Sequence, residues 1–167
     1  MTAREAATDD GEGRSGQPHG LVEGLVSEAT IVATVDLERV LGGLEWAAEA
    51  VRAAVAGARP DPHLGAAVVL VEDATAGGLA FAEPTTEGRL AATLARHGEG
   101  PCGRYLGFPQ PAPPDALDAF RRRAAAAGVA ISRVEDGPLG PSVLLLTGSV
   151  SGPHLIVAER RPVPSPP

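Results

Sequence analysis

Residues 81–108 constrain the order of elements around them more tightly than any other stretch of the chain. The run Phe81-Ala-Glu-Pro-Thr-Thr-Glu-Gly-Arg-Leu-Ala-Ala-Thr-Leu-Ala-Arg-His-Gly-Glu-Gly100 leads into Cys102-Gly-Arg-Tyr-Leu-Gly-Phe108. A strand ends at Glu83-Pro84, because proline cannot donate to a sheet ladder. Leu90 and Leu94 stand four apart, on one face of a short helix over 86–98. Gly98-Glu99-Gly100 then turns the chain into a new strand. A strand, a linking helix and a second strand therefore occupy mid-chain, with room for one similar unit on either side.

Both sides supply that unit. Residues 28–35 alternate, with Ile31, Ala33 and Val35 on one face and Thr30, Val32 and Thr34 on the other, as in a half-exposed strand. Asp36 can cap a helix carrying Leu37, Val40, Leu41, Leu44, Ala48 and Val51 at helical spacing, weakened at Gly42-Gly43. The Ala-rich stretch 46–56 reads as helix and Arg59-Pro-Asp-Pro62 as a breaker. Residues 66–72 and 78–83 read as a hairpin around 73–77. After the linking helix the beat repeats: a strand over 104–108, then a helix opened by Pro113-Pro114-Asp115. That helix has Leu117, Phe120, Ala124 and Ala127 inward and Gly128 at its end. Strands over 129–134, 142–147 and 154–159 follow, separated by Gly-Pro turns. The duplication is one of pattern, not of residue identity.

The expected limits are a disordered acidic tail over 1–27, a folded unit over 28–160 and a Pro-rich tail over 161–167. The folded unit divides into modules over about 28–84 and 101–160. Much of the net charge of −7 sits at the start of the chain: residues 1–28 hold six acids against Arg4 and Arg14, a net of −4, which leaves −3 for the rest. Such a balance favours solubility and excludes nucleic acid as the expected partner. The one basic run, Arg121-Arg-Arg123, reads as the wet face of a helix. Cys102 is the only cysteine, so no intrachain disulfide forms. No apolar run is long enough to span a bilayer, and the expected location is cytoplasmic.

The element order and the Glu-Pro to Gly-Glu-Gly waist resemble the vicinal-oxygen-chelate superfamily of glyoxalases, bleomycin-resistance proteins and extradiol dioxygenases, with methylmalonyl-CoA epimerases the nearest group. The resemblance implies an α+β fold in which two βαβββ modules form a curved mixed sheet around one cleft. It also implies a divalent metal on the cleft floor, held by His, Gln or Glu, His, and Glu from four strands. Carried over one at a time, these ligands fall on Thr30, Ala80, Gly103 and Val157. A one-residue slip offers Arg104, Cys102, Phe81 or Ala158 instead, and no set of imidazoles and carboxylates emerges. The four histidines, His19, His63, His97 and His154, share no metal-ligand spacing. The expectation is therefore no metal and no other cofactor.

Within that scaffold, alternation puts Thr30, Val32, Thr34, Ala80, Ala82, Gly103, Tyr105, Leu155 and Glu159 in the cleft. Thr30, Thr34, Arg104, Tyr105 and Glu159 are the candidate ligand contacts. Glu159, Tyr105 and Arg104 are the weak candidates for catalysis, as proton acceptor, polar contact and anion clamp. The register of 103–108 decides whether Arg104 or Tyr105 faces the cleft. Three functions follow in order. The first is metal-independent binding or sequestration of a small molecule by a degenerate member. The second is an isomerase, epimerase or lyase acting on an acyl or carbonyl compound through side-chain acids and bases. The third is a structural homodimer that uses free sheet edges.

Overall fold

Val26–Ala33 forms the strand β1, and the alternation read from the sequence is met as far as Ala33: Ala29, Ile31 and Ala33 are buried while Thr30 and Val32 are half-buried. Beyond the strand end Val35 is exposed and Thr34 buried, against expectation. The computed structural model describes residues 19–72, 77–146, 150 and 152–160. A short helix α1 (His19–Val22) precedes β1, and α2 (Leu37–Gly42), α3 (Ala48–Ala56), β2 (Arg59–Asp61), β3 (Ala66–Val71) and β4 (Gly78–Pro84) complete the first module. The linking helix α4 (Arg89–His97) leads to β5 (Gly100–Gly107), α5 (Ala116–Ala126), β6 (Glu135–Gly137), β7 (Gly140–Leu144) and β8 (His154–Ala158).

All eight strands form one sheet in the order β2-β3-β4-β1-β5-β8-β7-β6. β1 runs parallel to β4 and β5 runs parallel to β8, while β1 and β5 pair antiparallel at the centre. The sheet is thus two βαβββ halves repeated about the β1/β5 seam. It curls until its edges approach, and the Arg59 Nη1 donates to the Pro138 carbonyl at 3.1 Å. The edges offered to a second chain in the sequence reading are in part taken up within this one.

The curl follows from side-chain size. Ala29, Ala33, Ala66, Ala80 and Ala82 line the concave face, and Ile31, Val68, Tyr105, Leu144 and Ile156 fill it together with Leu64 and Leu90. The interior is packed, as in other small barrels. On the outer face Val69 and Phe81 meet Leu37, Leu41 and Val51 of α2 and α3. Leu106, Val143 and Val157 meet Leu117, Phe120 and Ala124 of α5. Each of these large apolar side chains contributes roughly 1.5–3 kcal/mol on burial.

Local signals explain the helix ends. Asp36 caps α2 by accepting from the Arg39 amide at 2.9 Å, and Gly43 closes it, so the weak point at Gly42-Gly43 is a true break. Gly98, at φ 73, ends α4 in a conformation that disfavours other residues.

Several sequence expectations are corrected. Arg59-Pro-Asp61 is not only a breaker but the edge strand β2, where Pro60 is tolerated because it need not donate inward. The stretch 129–134 contributes a single bridge, Ile131 to Leu145, and the strand lies later, at β6. Ala127 is exposed, since Val129 takes the buried position after the Gly128 turn. Residues 19–27, expected in the tail, form α1 and the start of β1, with Leu21 packed under α5. Tail residues 1–18 and 161–167 and most of the 73–77 turn lie outside the described residues. No described helix is long and apolar enough to cross a membrane.

Candidate functional site

Of the four positions matched to metal ligands, Ala80 and Gly103 face the concave side, each paired with Ile31 on either flank of β1. Thr30 and Val157 face outward, Thr30 in register with Arg104 and Val157 with Leu106. The expected phase of β1 is corrected: burial selects its apolar set, Ala29, Ile31 and Ala33, for the interior, which turns Thr30 and Val32 away. Leu155 shares the outward face for the same reason, while Ala80, Ala82, Gly103 and Tyr105 lie inward as expected.

The concave neighbours of the two outward positions, Ala29, Ile31, Ile156 and Ala158, are no better as donors. At Gly103 a Cβ would lie 2.2 Å from the His154 carbonyl oxygen, so no side chain fits there. Among the described residues no group of three or more His, Cys, Asp and Glu stands close enough to hold a metal ion. The donor set does not fit an imidazole and carboxylate metal centre.

The polar groups that do enter the interior are paired with one another. The Tyr105 hydroxyl donates to Asp61, which also accepts from the His63 and Leu64 amides at 2.8 and 3.1 Å. The His63 Nε2 meets the Ser142 carbonyl at 3.2 Å. The Thr93 hydroxyl donates to the Arg89 carbonyl, which leaves its oxygen to accept from the His154 Nε2 at 2.9 Å. Burial raises Tyr105 well above its ordinary pKa, and the Asp61 charge adds to the effect. Burial pushes the Cys102 thiol up to about 11 and, with the Arg89 charge, lowers His154. Tyr105, Asp61 and His63 are thus engaged within the protein, while Thr93 and Cys102 also line the groove described next. From the sequence, Asp61 is only part of a breaker and His63 a histidine without metal-ligand spacing. The signal that could have found them is Asp-Pro-His, since an aspartate readily accepts from amides two and three residues on.

A groove of about 580 Å³ opens from the outer face beside the β1/β5 seam and reaches Thr93, Cys102 and Gly103. Thr30, Arg104 and Leu155 form one row across β1, β5 and β8 at its base. The strip lies between the parts of the sheet covered by α2 and α3 and by α5, and so stays accessible. The waist turn with His97 and Glu99 forms one wall and Gly152-Pro153 another. Glu99 is held in place: it accepts from the Thr34 hydroxyl at 2.6 Å, the Val35 amide at 2.8 Å and the Arg39 guanidinium at 2.5 and 2.7 Å. Those bonds, the Thr34 hydroxyl first, keep its carboxyl below the usual range.

In contrast to the interior, Thr30, His97 and Arg104 make no side-chain hydrogen bond or ion pair with another described residue. The structure thus brings two of the expected ligand contacts, Thr30 and Arg104, to one groove. It engages Thr34 with Glu99, buries Tyr105, and places Glu159 half-buried beyond the end of β8, away from the groove. His97, not among the expected contacts, joins the groove because α4 ends at its rim. A second cavity, of about 760 Å³, lies between β3 and the β6–β7 turn beside Trp46. Its arginines are engaged, Arg59 with Pro138 and Arg160 with Glu28 and Glu72.

No protein-family model matches the chain, and no curated protein matches it. Solved structures do. A hypothetical protein from Bacillus halodurans superposes with a TM-score of 0.62 at 16% identity, covering 86% of this chain and 100% of its own. Methylmalonyl-CoA epimerase from Mycobacterium tuberculosis gives 0.60 at 18%, covering 85% and 91%. A Streptomyces coelicolor methylmalonyl-CoA epimerase variant in complex with 2-nitronate-propionyl-CoA gives 0.55 at 22%, covering 84% and 98%. The likeness is one of fold: paired βαβββ modules in one curved sheet, the architecture of the vicinal-oxygen-chelate proteins.

Proposed function

We propose that the protein binds a small acyl or carbonyl compound in the groove beside Thr30 and Arg104, without a metal, and acts on it as an isomerase of the epimerase type. The observation that carries the reading is the contrast between the two sides of the sheet. Among the described residues every buried side-chain nitrogen and oxygen of the concave interior has a partner within the protein, whereas three polar side chains of the outer groove bond to no described residue. The likeness to methylmalonyl-CoA epimerases, one with a propionyl-CoA analogue bound, supports acyl thioesters as the compounds to try first.

Epimerisation moves one proton and changes no oxidation state. A base takes the hydrogen from the carbon next to the carbonyl, and the electron pair passes to the carbonyl oxygen. A proton from solvent is added at the opposite face of that carbon as the pair returns, the base giving its own proton back to solvent. In the groove His97 is the side chain suited to accept the proton, and the Arg104 guanidinium can stabilise the oxyanion.

A second reading, retention of the compound without turnover, is favoured by the sealed interior, since the face that the fold offers to ligands in the resemblance is here a core. One experiment separates the two. The purified protein is incubated with propionyl-CoA and with methylmalonyl-CoA in deuterium oxide, with and without EDTA. Deuterium uptake at the α-carbon that EDTA leaves unchanged supports the isomerase. Saturable binding without uptake supports retention, and an uptake abolished by EDTA contradicts the metal-free site.

A further inference from the structure

We infer that the outer groove is an oxyanion-recognition site, in which Arg104 and Thr30 hold a carboxylate or phosphate group of the ligand. The inference deepens the functional reading and rests on it for the location of the site. Arg104 and Thr30 are register partners on adjacent antiparallel strands, and both side chains leave the sheet on the same outward face. Among the described residues the Arg104 guanidinium forms no ion pair with an acid. The one carboxylate on the groove wall, Glu99, is already met by Arg39, Thr34 and Val35, so it does not compete for Arg104.

An arginine offers two parallel N–H donors that match a carboxylate or phosphate edge, and the Thr30 hydroxyl supplies a third donor beside them. Leu155, next in the row after Arg104, gives an apolar surface for the carbon body of the ligand. The interior has none of this character, because its one buried carboxylate and its tyrosine are bonded to each other.

Full-length protein is titrated with sodium propionate, inorganic phosphate and neutral propionamide while amide and Arg104 Nε resonances are followed. Saturable shifts at Thr30 and Arg104 are expected with at least one anion and none with propionamide; the tighter anion identifies carboxylate or phosphate. Arg104→Gln is expected to weaken the anion by about tenfold or more, and Arg104→Lys by less, since it keeps the charge and loses the fork. Arg104 is exposed, so a conserved amide spectrum confirms that each variant folds. Anion binding unchanged by Arg104→Gln, or no saturable shift with either anion, overturns the inference. An Arg104-dependent anion site in a protein that neither binds nor turns over acyl-CoA sinks the functional reading alone. Acyl-CoA binding that is blind to Arg104→Gln sinks this inference alone.

Discussion

The Tyr105 hydroxyl donates to the Asp61 carboxylate across the concave face, tying β5 to the end of β2 over forty-four residues of sequence. Both side chains are 1% exposed, and two backbone amides complete the coordination of Asp61. A buried carboxylate is tolerated only while such donors surround it.

Its removal should be felt in stability. Tyr105→Phe leaves Asp61 with its two amides and is expected to lose roughly 1–3 kcal/mol. Asp61→Ala strands the tyrosine hydroxyl and both amides, and the loss should be larger. Urea denaturation of the two variants and the wild type reads both values. Two losses below about 0.5 kcal/mol, within the range of an ordinary surface change, would show that the bond holds nothing.

Stability should be greatest between mildly acidic and mildly alkaline pH. Tyr105 and Cys102 keep their protons more tightly in the fold than their ordinary values of 10.0 and 9.0, the latter pushed up to about 11. The stability they confer is complete below those ordinary values and is lost as pH rises through and beyond them. His154 is shifted the other way, below 6.5, so the unfolded chain binds its proton more readily and stability falls as pH drops below that value. Melting temperature measured against pH should therefore decline on both sides, and Cys102→Ala should flatten the part between 9.0 and about 11. A melting temperature that climbs above pH 9.0 contradicts the assignment.

Two glycines of β5 should differ sharply. A Cβ at Gly103 meets the backbone carbonyl of His154, with the oxygen at 2.2 Å and the carbon at 2.9 Å, and neither can swing aside. A Cβ at Gly107 meets the side chain of Glu28, which can move at the expense of its bond to Arg160. Gly103→Ala is expected to cost about 3 kcal/mol or more and Gly107→Ala about 1 kcal/mol. Gly103→His, which places a family-like ligand on the strand, should fail to fold rather than gain metal affinity. A folded Gly103→His that binds zinc stoichiometrically would contradict the packing described.

In the groove, Thr30→Val exchanges a hydroxyl for a methyl group of similar shape and should weaken an acyl ligand about fivefold, in line with one lost hydrogen bond. The melting temperature should hold, because the Thr30 hydroxyl bonds to no described residue. Calorimetric titration and a melting curve together check it; a stability loss with affinity intact reverses the assignment.

The scaffold was legible because its signals are local. Pro84, the Leu90 and Leu94 pair and the two glycines around Glu99 each dictate one boundary, and their order repeats. The alternation along β1 was equally plain, but its phase was not. Which of Thr30 and Ile31 points inward depends on the sheet as a whole, and there burial of the larger apolar set decides. The short edge strand at Pro60 was hidden because proline reads as an interruption unless the outer neighbour is known to be missing. The Asp61 and Tyr105 pair was out of reach, since neither residue signals its partner and only the curl of the sheet brings them together. Arg104 could be named in advance but not assigned a face, because β5 carries register shifts against β1 on both sides of it.

The most direct test of the two-sided account is a residue-resolved map of where an acyl ligand touches the protein. Amide spectra recorded through a titration with propionyl-CoA should shift at Thr30, His97 and Arg104, with Ile31, Tyr105 and Ile156 unmoved. Shifts centred on Tyr105 and its concave neighbours, with the groove silent, would mean that the interior opens to ligand after all and that the outer groove is not the site.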